Sequence, residues 1–265
     1  MQMEGYHRRA VQRWTGDGFT MDTDHLADES VVHLLVNDQH VTTLLATHAD
    51  LKDLCIGHMA TEYQLQPSPD LVRVVVEQND DGFAVNLITS VEVTPNWRPK
   101  IVTTSCGACD LDGLPELVSL AHRVDEPGGL ISIESLMKHF SDMRHRQATF
   151  SQTGGVHAAG LLYDDDTITV KEDIGRHNAV DKVLGHHLRS STERTPIALL
   201  LSGRCGWDIV AKAARMNIGV IASIGAASQL AADVARKANI TLATFVKDGK
   251  ATLIGPVEGR FQGKD

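Results

Sequence analysis

Cys106-Gly107-Ala108-Cys109 is the most reactive pairing in the sequence. Two thiols at this spacing can bind zinc, cycle as a dithiol, brace a loop, or present a thiolate nucleophile that carries sulfur. A zinc knuckle asks for a second Cys or His pair, and the remaining cysteines, Cys55 and Cys205, have no close partner. A thioredoxin-type dithiol sits at a helix start, whose N-terminus lowers the thiol pKa. Here Asp110-Leu111-Asp112-Gly113-Leu114-Pro115 comes next, a loop signal whose two acids tend to raise that pKa. On these residues all four readings stay open. A Gly-containing loop suits the sulfur carrier, because it lets a thiol swing between two partners.

Three further constellations point to ligand binding. In Thr153-Gly154-Gly155-Val156-His157-Ala158-Ala159 the two glycines would let backbone N–H groups approach an anion at the start of an apolar helix. Zinc deaminases carry His-x-Glu at such a place, with Pro-Cys-x-x-Cys one helix later. Here Ala159 stands where that acid would be and there is no later Pro-Cys-x-x-Cys, so the hydrolytic chemistry is missing and no metal ligands are assigned. In Lys171 to Lys182, six of twelve residues are charged, which by itself describes a solvated helix face. Gly175-Arg176-His177 lies at the strand-to-helix turn of that string, where an Arg fork suits a phosphate or a guanine base. Lastly, Ser202-Gly203-Arg204, Ile224-Gly225-Ala226-Ala227-Ser228 and Lys247-Asp248-Gly249-Lys250 each close a strand-like run with small residues. In open α/β sheets, ligands bind at such carboxyl ends.

These groups need elements to position them. Residues 1–24 read as a loose polar arm. Residues 25–104 read as a small α+β unit: strands Val31–Val36 and His40–Leu45 split by Asn37-Asp38, a helix through Leu51, Leu54, Cys55, His58 and Met59, and strands Leu71–Glu77 and Phe83–Thr89. Residues 105–148 hold the Cys pair and a connector helix from Ser132 to Arg146, with Leu136, His139, Phe140 and Met143 on one face. In 149–265, apolar runs at Ile168–Val170, Ile197–Ser202, Val220–Ile224 and Thr241–Val246 alternate with helical patterns at His177–Leu188, Trp207–Met216 and Gln229–Ala238. That rhythm predicts an α/β layer sandwich with a largely parallel core.

Composition narrows the class. The 265 residues are 42% hydrophobic, with a net charge of −9 and no repeat or low-complexity tract, so they form globular structure rather than disorder. The acidic balance excludes a non-specific nucleic-acid coat, yet leaves room for one phosphorylated ligand. No apolar run approaches the ~20 residues of a membrane span, and no secretory h-region comes after Arg8, Arg9 and Arg13. Four scattered cysteines in a chain this long fit a reducing cytoplasm.

Taken together, Ser105–Cys109, Thr153–Ala159, Glu172–Lys182, Ser202–Arg204, Ile224–Ser228 and Leu242–Lys250 make a pattern that resembles the FdhD family, over roughly Asp24 to Gly255. The string Gly175-Arg-His-Asn-Ala-Val-Asp-Lys182 is far more specific than any lone Cys pair. The resemblance implies an α/β fold with a cytidine-deaminase-like three-layer C-terminal domain, a smaller α+β N-terminal unit, and a homodimer. It also implies a sulfurtransferase-type relay, in which a cysteine desulfurase delivers a persulfide that passes to the molybdenum or tungsten bis-molybdopterin guanine dinucleotide cofactor of formate dehydrogenase. That cofactor is a transient recipient, not a resident group. The alternative is a chaperone that binds the cofactor without a covalent step. By resemblance Cys106 carries the persulfide, with Cys109 an auxiliary thiol. The cofactor-contact stretch maps to Phe245, Val246, Lys247, Asp248, Gly249 and Lys250, and is joined by Gly154, Gly155, His157, Gly175, Arg176, His177, Ser202 and Arg204. Two departures stand out. Asp110 replaces the family's usual Gly, and Lys250 keeps the charge of a common Arg while losing its fork.

Overall fold

The structure, a computed structural model, describes residues 5–65, 71–90, 122–125, 129–190 and 193–262. Cys106, Cys109 and Asp110 therefore lie outside the described residues.

Asn37 and Asp38 both take positive φ, 47° and 65°, the twist a two-residue hairpin requires. They join β3 (Ser30–Val36) to β4 (Gln39–Ala46). β5 (Leu71–Asn79) and β6 (Gly82–Thr89) complete a four-stranded sheet in the order β4-β3-β6-β5. Helix α1 (Leu51–Tyr63) packs beneath it, Leu54, Cys55, Ile56 and Met59 meeting Val32, Leu34, Val85 and Leu87. Ten of its thirteen residues are buried, which a helix with only one packing partner would not show. Its second partner is a helix of the larger unit, at Arg176–Arg189.

The N-terminal expectation needs correction. Residues 6–27 are not a loose arm but an antiparallel hairpin of β1 (Tyr6–Trp14) and β2 (Phe19–Ala27). Gly16 and Gly18, at φ 92° and 148°, make its turn, and Arg13 reaches across to Asp22 at 2.8 Å and Asp24 at 3.2 Å. The polar composition reflects two solvent-facing strand faces rather than missing structure.

α2 (Ile133–His145) starts where Ser132 caps it, its Oγ accepting from the Ser135 N–H, and buries the expected face of Leu136, His139, Phe140 and Met143. The short α3 (Ala148–Thr153) then ends at Gly154, φ 64°. Beyond that glycine a second expectation is corrected. His157–Tyr163 is a strand, β7, so the two glycines close a helix and lead into a sheet. Ala158 to Tyr163 are all buried, and a short apolar run of that kind has no period that separates a central strand from a core helix.

β7 belongs to a six-stranded sheet with β8 (Ile168–Asp173), β9 (Pro196–Leu201), β10 (Val220–Ser223), β11 (Thr241–Lys247) and β12 (Lys250–Ile254), ordered β12-β11-β10-β9-β7-β8. β9, β10 and β11 run parallel, while β7, β8 and β12 pair antiparallel. The sheet is thus mixed where a largely parallel one was expected. α4 (Arg176–Arg189), α5 (Trp207–Arg215) and α6 (Gln229–Lys237) cover one face, where Val183, Leu184, Ile209, Val210 and Val234 meet Leu161, Leu199, Ile221 and Leu242. α2 covers the other through Leu136, Phe140 and Met143. No helix among the described residues is long and apolar enough to cross a membrane.

Candidate functional site

The antiparallel setting of β7 against its parallel neighbours decides where the site lies. Because β7 runs opposite to β9, its first residue, His157, sits beside the last residues of β9 and is paired with Asp173 at the end of β8. Gly175-Arg176-His177, Ser202-Gly203-Arg204 and Ile224-Gly225 all leave the sheet at this edge.

The turns are bonded to one another. Ala158 N–H donates to Ser202 Oγ at 2.8 Å, and Ser202 N–H donates to the Ala158 carbonyl at 3.1 Å. Ser223, 1% exposed, donates its hydroxyl to the Gly203 carbonyl at 2.6 Å and accepts from Gly225 N–H at 3.0 Å. The Gly225 carbonyl in turn accepts from Phe245 N–H at 3.2 Å, with Phe245 half-exposed at positive φ. A Cβ on Gly203 would stand 3.2 Å from His157 Nδ1, so the loop lies against the imidazole.

The edge is electropositive. Burial lowers the His157 pKa, and the nearby charges of Arg176 and Arg204 push it the same way, which keeps the ring neutral at pH 7. Gly175 caps α4 without a side-chain bond, so the first turn of that helix offers free N–H donors beside Arg176. His177 is paired with Asp208 in the first turn of α5, which ties the two helix starts together. Below the edge a cleft of about 490 Å³ opens between Gly154-Gly155-Val156-His157, Ser202 and Ile224 on one side and α2 on the other. Arg144 lies in its wall, its guanidinium 4.1 Å from the centre of the Phe150 ring.

The charged string is divided between surface and interior. Arg176 and His177 are half-buried at the edge, but Asp173, Asp181 and Lys182 are buried. Lys182 Nζ lies 2.6 Å from Asp173 Oδ2, which also accepts the Thr47 N–H and hydroxyl. These residues lock the two sheets together and do not form a solvated helix face. Of the last stretch, Val246 is buried in the core, while Lys247, Asp248, Gly249 and Lys250 form an exposed hairpin tip that touches Met137 of α2. Phe245 is the residue of this stretch that hydrogen-bonds to the Gly225 turn. Cys55 and Cys205 are fully buried, and burial pushes both thiols up to about 12. Neither is a nucleophile at neutral pH.

Two residues of the site escaped the sequence reading. Asp208 had a weak signal, an acid in a first turn just past Gly206; Arg144 had none, since its role depends on α2 crossing the sheet.

Fold and cleft together define an α/β protein that gathers glycine turns, a neutral imidazole and arginines at one sheet edge, the equipment for holding an anionic ligand. Comparison with known proteins narrows that class. The sequence profile described as the FdhD/NarQ family matches residues 27–256. Proteins named sulfur carrier protein FdhD are similar throughout: that of Bordetella bronchiseptica is 32% identical over 236 residues, spanning 87% of this chain and 85% of its own. That of Nocardia farcinica is 33% identical over 251 residues, 91% of this chain and 89% of its own. A crystal structure from Desulfotalea psychrophila, described as a candidate formate dehydrogenase accessory protein, shares the fold with a TM-score of 0.76. It is 21% identical, covering 96% of this chain and 99% of that one. The chain belongs to the FdhD/NarQ family.

Proposed function

We propose that this chain is a sulfur carrier for formate dehydrogenase: Cys106 takes persulfide sulfur from a cysteine desulfurase and delivers it to the enzyme's bis-molybdopterin guanine dinucleotide cofactor, a substrate here. The observation that carries the reading is the sheet edge itself. Its arginines, free helix N–H donors and glycine turns suit a ligand with two anionic diphosphates. Family membership supports the sulfur chemistry and its assignment to Cys106 and Cys109, and the high thiol pKa of buried Cys55 and Cys205 argues against a role for either of them.

The chemistry balances with those two thiols. The Cys106 thiolate attacks the outer sulfur of the donor persulfide, the donor S–S bond breaks, and the donor leaves as a thiolate. No net electrons move. The sulfur then sits at oxidation state zero, and its release as sulfide needs two electrons. Cys109 supplies them: its thiolate attacks Cys106 Sγ, a Cys106–Cys109 disulfide closes, and sulfide leaves to the metal. The sulfide takes the place of an oxygen ligand on the metal, that oxygen leaves with two protons as water, and a cellular dithiol then reopens the disulfide. We also read the three-layer unit as cytidine-deaminase-like, supported by its mixed sheet between two helix layers. The working form is a cytoplasmic homodimer.

The test is mass spectrometry after incubation with a desulfurase and cysteine. A one-sulfur adduct on Cys106 is expected, and Cys106→Ala should abolish both the adduct and the maturation of formate dehydrogenase in cells lacking their own carrier. Maturation that survives Cys106→Ala would reduce the protein to a cofactor-binding chaperone.

A further inference from the structure

Away from the proposed transfer cleft, three strand ends bring His7, Asp28 and His48 together. His7 belongs to β1, Asp28 comes just after β2 and His48 just after β4. One ligand atom from each lies within 4.8 Å of the others. Asp28 is buried, with His7 Nε2 at 3.1 Å from Oδ1 and His48 Nδ1 at 2.6 Å from Oδ2. Ser30 Oγ and the His48 N–H donate to Oδ2 as well, at 2.9 and 3.0 Å. Among the described residues its ion-pair partners are those two imidazoles, so no permanent cation faces this buried carboxylate. Phe83 stacks on the His48 ring at 5.8 Å and fixes its orientation.

The geometry points to a divalent transition-metal site formed by His7, Asp28 and His48, which pins the N-terminal hairpin to the body of the protein. Two imidazoles and one carboxylate are the donor set of zinc and its first-row neighbours. An ion about 2.0–2.2 Å from each donor holds them about 3.3 Å apart in tetrahedral geometry. The two His–Asp contacts, at 3.1 and 2.6 Å, would widen toward that spacing, and all three ligand atoms already lie within 4.8 Å of one another. A dication would also supply the missing counter-charge to Asp28. His48 lines a cleft of about 740 Å³, which gives an aqueous ion a route in. The mechanical consequence comes from chain order: His7 is in the hairpin, and His48 is anchored in the four-stranded sheet next to Thr47, which bonds Asp173.

The test uses the full chain carrying Cys106→Ser and Cys109→Ser, which removes competing thiols, stripped with a chelator and titrated with zinc. One equivalent should bind calorimetrically and survive gel filtration. His7→Gln, at a half-exposed position that leaves Asp28 its other partners, should weaken binding more than tenfold; His48→Ala should do the same. Zinc should also slow tryptic cleavage at Arg8, Arg9 and Arg13, and His7→Gln should erase that protection while the far-ultraviolet spectrum stays unchanged. Absence of stoichiometric uptake, or uptake and protection that persist in His7→Gln, would overturn the site. Because the Cys pair is absent from the assay, its outcome is independent of the sulfur-transfer proposal.

Discussion

Gly57 of α1 and Gly185 of α4 face each other where the two helices cross, so closely that a Cβ on Gly185 would lie 2.6 Å from the Gly57 nitrogen and 1.9 Å from the Asp53 carbonyl. A Cβ on Gly57 would fall 1.8 Å from the Asp181 carbonyl. Backbone meets backbone here, and no side-chain rotation can relieve a collision. Gly57→Ala or Gly185→Ala must force the helices apart, which is expected to cost about 3 kcal/mol or more, at the top of the overpacking range. Urea unfolding with an unchanged m-value reads the loss directly.

The same crossing buries charge. Lys212 Nζ lies 2.8 Å from Asp181 Oδ1 and 2.5 Å from Glu62 Oε1, and Asp181 also accepts from Thr61 and pairs with His58. Lys212→Met strands Asp181 in the interior, and the expected loss is about 3–5 kcal/mol. Pairing it with Asp181→Leu should recover part of that loss, because both charges are then gone. Chemical denaturation of the two single variants and the double variant measures the coupling.

Asp181 also sets an acid limit. Burial pushes its carboxyl up, but the Lys212 charge and the His58 bond outweigh burial and bring it well below the ordinary value of 3.8. A depressed native pKa means that the contribution to stability is complete above the ordinary value and is lost as pH falls through the native one. Wild-type stability is therefore expected to decline with acid below about pH 4, where the unfolded carboxyl takes up a proton that the folded one refuses. Lys212→Met should flatten that dependence, and a denaturation series from pH 6 to 3 would show it.

Thiol chemistry separates the four cysteines. With Cys55 and Cys205 both pushed up to about 12, native protein carrying Cys106→Ser and Cys109→Ser should take up no alkylating reagent at pH 8. Denaturant should expose two thiols in the same sample. Labelling of either buried cysteine in the native state would contradict the packing.

Cys109→Ser divides acceptance from delivery. The variant should load sulfur on Cys106 as wild type does, then retain it when the acceptor is added, since no thiol remains to close the disulfide. Intact-mass analysis before and after acceptor addition distinguishes this from a bystander role, in which the adduct would decay at the wild-type rate.

Local signals were legible wherever neighbours in sequence settle the structure. Asn37-Asp38 announced the β3–β4 turn, and the spacing of Leu136, His139, Phe140 and Met143 gave the buried face of α2 before any partner was known. The turns that meet at the site edge were also readable, as small residues after apolar runs. What failed depended on contacts distant in the chain. β7 looked helical because its alanines and leucines suit either state until β8 and β9 flank it. Asp173, Asp181 and Lys182 looked solvated because their partners, Thr47, His58 and Lys212, are far away in sequence. His7, Asp28 and His48 carry no common period at all, and the fold alone assembles them.

Helix α1 belongs to two interiors at once, the small sheet above it and α4 beside it. Evolution therefore cannot edit that helix for one neighbour alone: every accepted change must suit both. Chimeras that splice the front of one relative onto the back of another should fail unless residues 51–63 and 176–189 are inherited from the same parent.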